Sequence, residues 1–591
     1  MGPARRVLLA LHLLHDRVGG LRHDLLQDGS ERQLRRLELA GEGGEDAEIA
    51  FFGTGAQRGE AGLHGSDESL VRVADLPVEV LLEQGRIHRP SIGRPHGAIN
   101  AIVAVMVAFV LLAPGARAID VPGTDGRVRV GGWLDGRAIV DTGGGERQRP
   151  QARLDLEVTA RPTRRLRFVG EVRTRVGGPF EGGSGVGVYD LSRTFQNVSP
   201  AFDFVQGYGE IRSRRAELRV GIQTFAWGKL DGLPPTDVLN PRDYHDPLVD
   251  DAEERKIGVP AITTTYYPSV PSSWALSGLR GTLVWVPFAV PSRLGLLEER
   301  WFPNSTEPPT RVPASLLRAA GLPGNTRVPI TFATRNDSPP RTFDHGAIGL
   351  RLAGTWHTLD WSLYHYSGQE TGPNASLVAD LFLQPDGSPA VDARLKQASD
   401  TMHMTGADVA YVFGPVAVRA EFAHFLDRPY LRRSEDLIGG DALAGIDLQG
   451  LLGRLAAGKR VGVPLDNLFP DQDAIEWGVG ADLVWHGYRP LVQLSQVVIL
   501  DGAPPLLIAD PETRLVTRLE KGWLDDRLGT EVQFFLAMER GSWFIRPEVS
   551  YLLRDDLRIG VGYLAVGGPA SSLIGQFKRN DEVLFLARWT F

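Results

Sequence analysis

The chain of 591 residues contains no cysteine, which excludes disulfide frameworks, CxxC zinc sites, iron–sulfur clusters and thiol catalysis. Lysine is scarce, with six residues, and the formal net charge is −8. This charge argues against a nucleic-acid-binding protein, because phosphate binding needs a concentrated basic face. No apolar run reaches the ~20 residues of a membrane-spanning helix, and P-loop, HExxH and GxSxG motifs are absent from the sequence. We therefore predict neither a cofactor nor a metal site.

The first hundred residues differ from the rest of the chain. All 12 tryptophans and all 12 tyrosines lie beyond residue 100. Residues 98–113 form an apolar run interrupted only by Asn100, and Pro114–Gly115 follow it. Ala116 and Ala118 then occupy the −3 and −1 positions of an A-x-A cleavage signature. A short apolar segment, a helix breaker and small residues are typical of a Sec signal peptide, and a buried or membrane-anchoring helix is the alternative.

A Sec signal acts at an N-terminus, whereas this one lies a hundred residues into the chain. We therefore predict that residues 1–97 are a mis-called start or a disordered extension. Residues 98–118 would be the cleaved signal, and residues 119–591 the exported domain. N-terminal sequencing of the mature protein tests this prediction, which expects a first residue at about Ile119.

Beyond Asp120 apolar and polar residues alternate with period two. In Ala152–Arg161 one face carries Ala, Leu, Leu, Val and Ala, and the other carries Arg, Asp, Glu, Thr and Arg. Leu166–Val176 repeats the pattern. Such alternation predicts β-strands. Segments of about ten residues are long enough to cross a bilayer when tilted, and short links alternate with long ones along the chain. A soluble β-sandwich with one wet face is the alternative.

The last strand is aromatic. Glu582–Phe591 places Phe585, Trp589 and Phe591 on one face. This ending resembles the C-terminal signal by which Gram-negative outer-membrane barrels are recognised by the barrel-assembly machinery. With both termini periplasmic, counting the links predicts a transmembrane antiparallel β-barrel of 16–18 strands with long extracellular loops, eighteen being the favoured count. The expected location is the outer membrane, in contact with lipid and lipopolysaccharide.

The polar faces of the early strands predict a polar lumen. Arginine outnumbers the carboxylates there, which favours solutes carrying a carboxylate or phosphate. Mixed-sign lumens are common in barrels, however, and a chain poor in lysine has arginine-rich faces in any case. The expected pore-lining residues are Arg153, Asp155, Glu157, Arg161, Arg167, Glu171, Arg173, Arg175, Glu217, Arg219 and Gln223.

One motif resembles a proteobacterial outer-membrane family of unknown function, whose members carry a G-x-Q…W-G strand end and a downstream N-P loop. The matching residues are Gly221, Gln223, Trp227, Gly228, Asn240 and Pro241. The resemblance extends over roughly residues 126–591 and implies a barrel that moves or binds hydrophobic or acidic small molecules. We expect Trp227 in the aromatic girdle at the membrane interface, and Asn240–Pro241 where the loop leaves the barrel.

Three further segments leave alternatives open. The loop after Trp227 holds a run of carboxylates that could bind Ca²⁺ or form a solvated acidic loop, and their spacing favours the second because it does not match an EF-hand. Asp441–Gly458 predicts a short amphipathic helix that constricts the pore, rests on the rim or touches lipid. His365 and Ser367 have the H-x-S spacing of the outer-membrane phospholipase site, whereas Tyr364, His365 and Tyr366 at a strand end fit an interfacial girdle equally well. The carboxylates are Asp243, Asp246, Asp250, Asp251, Glu253 and Glu254.

These patterns together predict a non-enzymatic outer-membrane channel or transport protein for small solutes, anionic or amphipathic. Two alternatives are a non-conducting envelope scaffold and a lipid hydrolase. The sequence contains no signal that fixes the substrate, the direction of transport or the oligomeric state.

Overall fold

The structure is a computed structural model of the chain. It describes residues 119–143, 148–178, 187–196, 198–295, 299–302, 311–312, 323, 325–336, 343–372, 374–398, 400–433, 453–463, 467–500, 502 and 505–591. The predicted extension and signal peptide, with Ala116 and Ala118, lie outside the described residues, as does most of the predicted helix Asp441–Gly458. Residues 453–456 of that segment form a single helical turn.

Eighteen antiparallel strands form a closed barrel, which confirms the predicted fold class and the favoured strand count. The first barrel strand pairs with both the second and the last, with Trp133 opposite Thr590, so no strand edge is left open. The barrel strands are β2 (Val128–Asp141), β3 (Gln148–Ala160), β4 (Leu166–Gly177), β6 (Ala201–Arg212), β7 (Ala216–Gln223), β8 (Val259–Tyr266), β9 (Leu276–Val286), β11 (Ala347–Trp356), β12 (Leu359–Gln369), β15 (Thr401–Phe413), β16 (Val416–Pro429), β18 (Asp471–Leu483), β19 (Tyr488–Ile499), β20 (Glu512–Trp523), β21 (Leu528–Ala537), β22 (Ser542–Arg554), β23 (Leu557–Gly567) and β24 (Glu582–Thr590).

The remaining strands belong to the barrel edge and to the loops. Two short strands, β1 (Ile119–Asp120) and β5 (Gly187–Val188), extend the barrel sheet. A separate four-stranded sheet joins three long loops, and its strands are β10 (Ile330–Arg335), β13 (Ala375–Leu383), β14 (Pro389–Gln397) and β17 (Val461–Val463). Short 3-10 helices span Ser272–Trp274, Phe343–His345 and Gly575–Phe577. No helix among the described residues has the length and hydrophobicity to cross a bilayer.

The barrel buries its polar side chains and exposes its apolar ones. In β3, Arg153 and Asp155 are 0% and 3% exposed, whereas the alternating Leu156 and Val158 are 37% and 41% exposed. This inversion follows from the period-two alternation, because one face of a barrel strand points to the lumen and the other to lipid. The wall therefore has an apolar exterior and a polar interior.

The two ends of the barrel differ. Short turns such as 357–358 and 414–415 lie at one end, the short-turn end, and loops of up to sixty residues lie at the long-loop end. Large aromatic residues cluster at the short-turn end and are exposed, which is the arrangement of an aromatic girdle at a membrane interface. They include Tyr266, Trp274, Trp356, Tyr411, Phe413, Trp485 and Trp523.

Residues 224–258, which connect β7 to β8, fold into the barrel and are called the lumen loop below. Their side chains contact inward-facing residues of strands on opposite sides of the wall, including Arg153 of β3 and Glu421 of β16. The lumen loop therefore divides the interior and defines the space that remains open.

Candidate functional site: the lumen loop and its cavity

Asn240 closes the base of the lumen loop. Its Nδ2 donates to the carbonyl oxygens of Gln223 at 3.3 Å and Ile257 at 2.8 Å, and its Oδ1 accepts from the backbone N–H of Phe225 at 2.6 Å. The Pro241 carbonyl accepts from the N–H of Ile257 at 2.8 Å. These bonds hold together the two points at which the loop leaves and rejoins the wall.

A second anchor lies on β16. The buried Glu421 carboxylate accepts from the backbone N–H groups of Lys229 and Leu230, the latter at 2.6 Å, and from Thr236 Oγ1 at 3.0 Å. Gly228 approaches this carboxylate with a φ of +86°, and a Cβ at that position would lie 2.6 Å from Glu421 Oε1. Glycine is required here because the backbone is left-handed and the space is filled.

One face of the lumen loop is apolar and packs on the wall formed by β8, β9, β11, β12, β15 and β16. Trp227 is 4% exposed, and its ring centroid lies 5.0 Å from that of Tyr364. Val238 and Leu239 belong to the same cluster. The expectation that Trp227 stands in the membrane-interface girdle is therefore wrong. The period-two alternation that would set its direction ends with β7 at Gln223, four residues earlier.

The opposite face is acidic and meets arginines of β2, β3 and β4. Four carboxylates of the loop each pair with at least one buried guanidinium of these strands. The pairs are Arg137–Asp250 at 2.6 Å, Arg149–Asp246 at 2.9 Å, Arg153–Asp250 at 2.9 Å, Arg153–Glu254 at 3.0 Å and Arg175–Asp243 at 3.1 Å. Charge pairing between buried partners offsets the cost of removing each from water.

This contact corrects the interpretation of the acidic run as a solvated loop. Asp243, Asp246 and Asp250 are 3%, 4% and 6% exposed, and only Asp251 and Glu253 of the run are exposed. The described residues contain no group of side chains suited to holding a metal ion. The carboxylates serve as counter-ions for the wall, and their partners lie too far away in the chain for a local pattern to reveal them.

A buried histidine strengthens the acidic face. His245 Nδ1 lies 2.6 Å from Asp243 Oδ1, and Nε2 lies 2.9 Å from the carbonyl oxygen of Gln196. Both of these oxygens only accept hydrogen bonds, so both ring nitrogens carry a hydrogen. Burial alone would lower the pKa of His245, but the Asp243 carboxylate outweighs it and raises the pKa above its ordinary value. Burial opposes the shift of Asp243 as well, yet His245 and Arg175 hold the pKa of that carboxyl well below its usual range.

The residues expected to line the pore all lie on β3, β4 and β7 or in the turn after β3, and they differ in how far they are exposed. Arg153, Asp155, Arg173, Arg175, Glu217 and Gln223 are buried inside the barrel; Arg167, Glu171 and Arg219 are half-buried; and Glu157 and Arg161 are exposed towards the short-turn end, Arg161 in the turn after β3. Several arginines already face carboxylates: Arg173 donates to Asp155 at 2.8 Å and Arg219 to Glu210 at 3.0 Å. The excess of arginine on these strands is therefore largely neutralised within the barrel.

On the other side of the lumen loop, against β19–β22, the interior remains open. A cavity of about 1030 Å³ extends from the long-loop end, at Phe469 and Leu573, to Arg518 near the middle of β20. Ten aromatic residues line it, namely Phe195, Trp227, Tyr244, Trp301, Phe302, Phe469, Phe534, Phe535, Phe544 and Phe577. Its size and lining are those of a site that holds a small molecule.

The cavity was not predicted from the sequence. Its wall residues alternate like any other barrel strand, and its opposite side is made by the lumen loop. Arg242 and Arg255, both in that loop, also line it. The only sequence signal near them is the acidic run that precedes Arg255. This run shows that the segment is charged, but it does not predict that the segment lies inside the barrel.

The two residues with H-x-S spacing lie outside the lumen. His365 is exposed on the outer face of β12, and its Nδ1 lies 3.1 Å from Thr405 Oγ1 on β15. Among the described residues no hydrogen bond joins it to Ser367. The flanking Tyr364 and Tyr366 are 3% and 2% exposed and point inward, so their assignment to an interfacial girdle is wrong.

A family model described as "Protein of unknown function (DUF1302)" matches residues 177–498. No curated protein matches the chain. The crystal structure of Pseudomonas aeruginosa OpdK with vanillate is 10% identical, with a TM-score of 0.41, and the match covers 78% of this chain and 98% of that one. Acinetobacter baumannii OccAB1 is 7% identical, with a TM-score of 0.40 and coverage of 78% and 96%. Salmonella typhi OmpF in complex with daunomycin is 11% identical, with a TM-score of 0.34 and coverage of 78% and 97%.

Proposed function

Because the chain belongs to the DUF1302 family of proteins of unknown function, its activity has to be inferred from the barrel itself, and we propose that it is a channel for small solutes with apolar bodies. The observation that supports this function is the cavity of about 1030 Å³ beside the lumen loop. A barrel of eighteen strands is wide enough for an aqueous path. The lumen loop closes the arginine side of that path and leaves the aromatic side open.

In this proposal the barrel lies in the outer membrane of a Gram-negative bacterium. The apolar exterior and the exposed aromatic residues of the short-turn end support this location. Lipid and lipopolysaccharide would surround the wall, and the barrel-assembly machinery would insert it. Solutes would enter from the long-loop end, bind in the cavity and pass the lumen loop by diffusion, with no chemical step.

Single-channel recording in a planar bilayer tests the proposal. The wild-type protein should conduct, and Val516→Trp should reduce the conductance by on the order of two-fold because Val516 lines the cavity. Leu519→Trp is the matched control, since Leu519 lies on the same strand but is 45% exposed on the outer face. Its conductance should equal that of the wild type.

Replacing residues 226–256 by a short Gly-Ser linker is a second test, because it removes the lumen loop from the interior. This variant should conduct several-fold more than the wild type, since pore conductance rises with the open cross-section. A wild-type protein and a loop-deleted protein that are both correctly inserted and both closed would favour an envelope scaffold. No observation favours the hydrolase alternative.

A further inference from the structure

One guanidinium of the lumen loop faces the cavity without a counter-ion. Arg255 lines the cavity, and its Nε is buried with no hydrogen-bond partner. Its side chain forms no ion pair with any carboxylate in the described parts of the chain. The nearest aromatic ring, that of Tyr244, lies 5.9 Å from its Cζ, which is a weak contact.

The other cations around the cavity are all paired. Each of the six has a carboxylate oxygen within 3.2 Å, in the lumen loop or on the wall. The pairs are Lys229–Asp408 at 2.9 Å, Arg242–Asp237 at 2.9 Å, Lys256–Asp237 at 3.0 Å, Arg514–Glu512 at 2.8 Å, Arg518–Glu520 at 3.0 Å and Arg546–Asp251 at 3.2 Å. Arg255 is thus the cation of the described lining whose five N–H donors are free for a ligand.

An unpaired charge in this position is unfavourable for the protein alone. Removing a guanidinium from water without a partner costs free energy that pairing would recover. Burial is the largest cause that lowers the pKa of Arg255, and the Arg242 guanidinium adds to it; Tyr244, Asp250 and Asp243 oppose this shift without outweighing it. A group held in this state by the fold is more readily explained by binding than by stability.

We propose that Arg255 binds the carboxylate of an amphipathic solute inside the barrel, while the apolar body of the solute lies against the aromatic lining. This inference rests on the proposed function and names the solute class for the same cavity. A guanidinium is planar and can donate two parallel hydrogen bonds to the two oxygens of one carboxylate. Phe535, Phe544 and Phe577 line the same cavity and supply the apolar surface. The anion site therefore lies on the lumen loop, whereas four inward-facing arginines of β3 and β4 already face carboxylates: Arg149, Arg153, Arg173 and Arg175.

Equilibrium binding to the purified full chain in detergent tests this site. We would titrate 3-phenylpropionate, 3-phenylpropanol and 3-phenylpropylammonium at neutral pH by calorimetry, since the three share one apolar body. The wild type should bind the carboxylate about ten-fold more tightly than the alcohol, a difference of about 1.4 kcal/mol, and the ammonium most weakly. Arg255→Gln should reduce the preference for the carboxylate to less than about two-fold, and Arg255→Lys should retain part of it.

Arg518→Gln is the matched control, because Arg518 lines the same cavity but is paired with Glu520; it should keep the preference for the carboxylate.

Thermal unfolding separates an effect on binding from an effect on folding. Arg255→Gln should unfold at the wild-type temperature or above it, since it removes an uncompensated charge. Equal affinity of the wild type for carboxylate and alcohol, no binding of either, or an unchanged preference in Arg255→Gln would overturn the anion site. Carboxylate binding without any conductance would count against the channel alone, and conductance without the preference would count against the anion site alone.

Discussion

Arg153 of β3 donates to Asp250 of the lumen loop at 2.9 Å, and the arginine side chain is fully buried. The same carboxylate oxygen accepts from Arg137 of β2 at 2.6 Å. One loop residue therefore contacts two cations of neighbouring strands. Arg153 also pairs with the buried Asp135 of β2 at 2.7 Å, so carboxylates of the wall and of the loop neutralise these cations together.

Asp250→Asn should loosen the loop and expose the wall charge. Removing one partner of a buried ion pair costs about 3–5 kcal/mol. Here Arg137 and Arg153 each lose one counter-ion but keep Asp135 and Glu254, so the cost should not exceed the lower value. We expect a lower free energy of unfolding in detergent and a shift of the reversal potential towards anion selectivity in a salt gradient. The control is Asp251→Asn, whose side chain is 63% exposed and should change the stability by less than about 1 kcal/mol. Equal effects of the two variants would contradict this role of Asp250.

Asn240→Ala should free the base of the lumen loop. The variant loses three hydrogen bonds to Gln223, Phe225 and Ile257, each worth about 1 kcal/mol. Amide hydrogen exchange at Phe225 and Ile257 should accelerate, while exchange in β20–β22 should not change. Asn240→Asp keeps the acceptor for Phe225 but not the two donors, so its exchange rates should be intermediate. Unchanged protection in Asn240→Ala would mean that the loop is held elsewhere.

The Asp243–His245 pair predicts a dependence of the lumen loop on pH. The pKa of His245 is raised in the folded protein, so the protonated ring stabilises the loop fully below the ordinary histidine pKa of about 6.5. That contribution is lost as the pH rises through the raised pKa. Current fluctuations from loop movement should become more frequent in alkaline buffer, and His245→Gln should remove this dependence. The same alkaline response in His245→Gln would assign it to another group.

Replacing Phe591 tests the C-terminal signal separately from strand pairing. The backbone of Phe591 exchanges two hydrogen bonds with Gly132, at 2.8 and 2.9 Å, and these do not require the aromatic ring. Phe591→Ala should therefore leave the pairing geometry intact while lowering the amount of barrel in the outer membrane several-fold. Phe591→Tyr keeps an aromatic terminus and should assemble normally. The measurement is the amount of barrel in the outer-membrane fraction. If Phe591→Ala reaches the wild-type amount there, the prediction that Phe591 is part of an assembly signal is wrong.

The barrel could be predicted because its signal is local. Alternation along ten residues fixes which side chains face lipid, and short links fix where strands turn. The last strand, expected at Glu582–Phe591, is β24 at Glu582–Thr590, and the segment expected at Leu166–Val176 is β4 at Leu166–Gly177. Strand bounds can be predicted in this way because they depend on residues that are close in the sequence.

The candidate site could not be predicted because its contacts are distant in the chain. Arg149 and Asp246 are separated by 97 residues, and the bond from Gly232 to Gln493 spans 261. No periodicity connects such partners. Trp227 was misplaced for the same reason: beyond Gln223 its direction depends on Tyr364, on a strand far along the chain.

The seam between β2 and β24 also affects how the barrel is made. Arg588 donates to Asp135 across this seam at 2.8 Å, and the two residues lie 453 positions apart. Every other neighbouring pair of barrel strands is closer in the chain and can pair earlier, because local contacts form faster than distant ones. The entropy of joining the ends grows only with the logarithm of the length, about 0.6 kcal/mol per doubling. We therefore expect the cylinder to be sealed last, with an entropic cost that exceeds that of a hairpin only by this logarithmic increment.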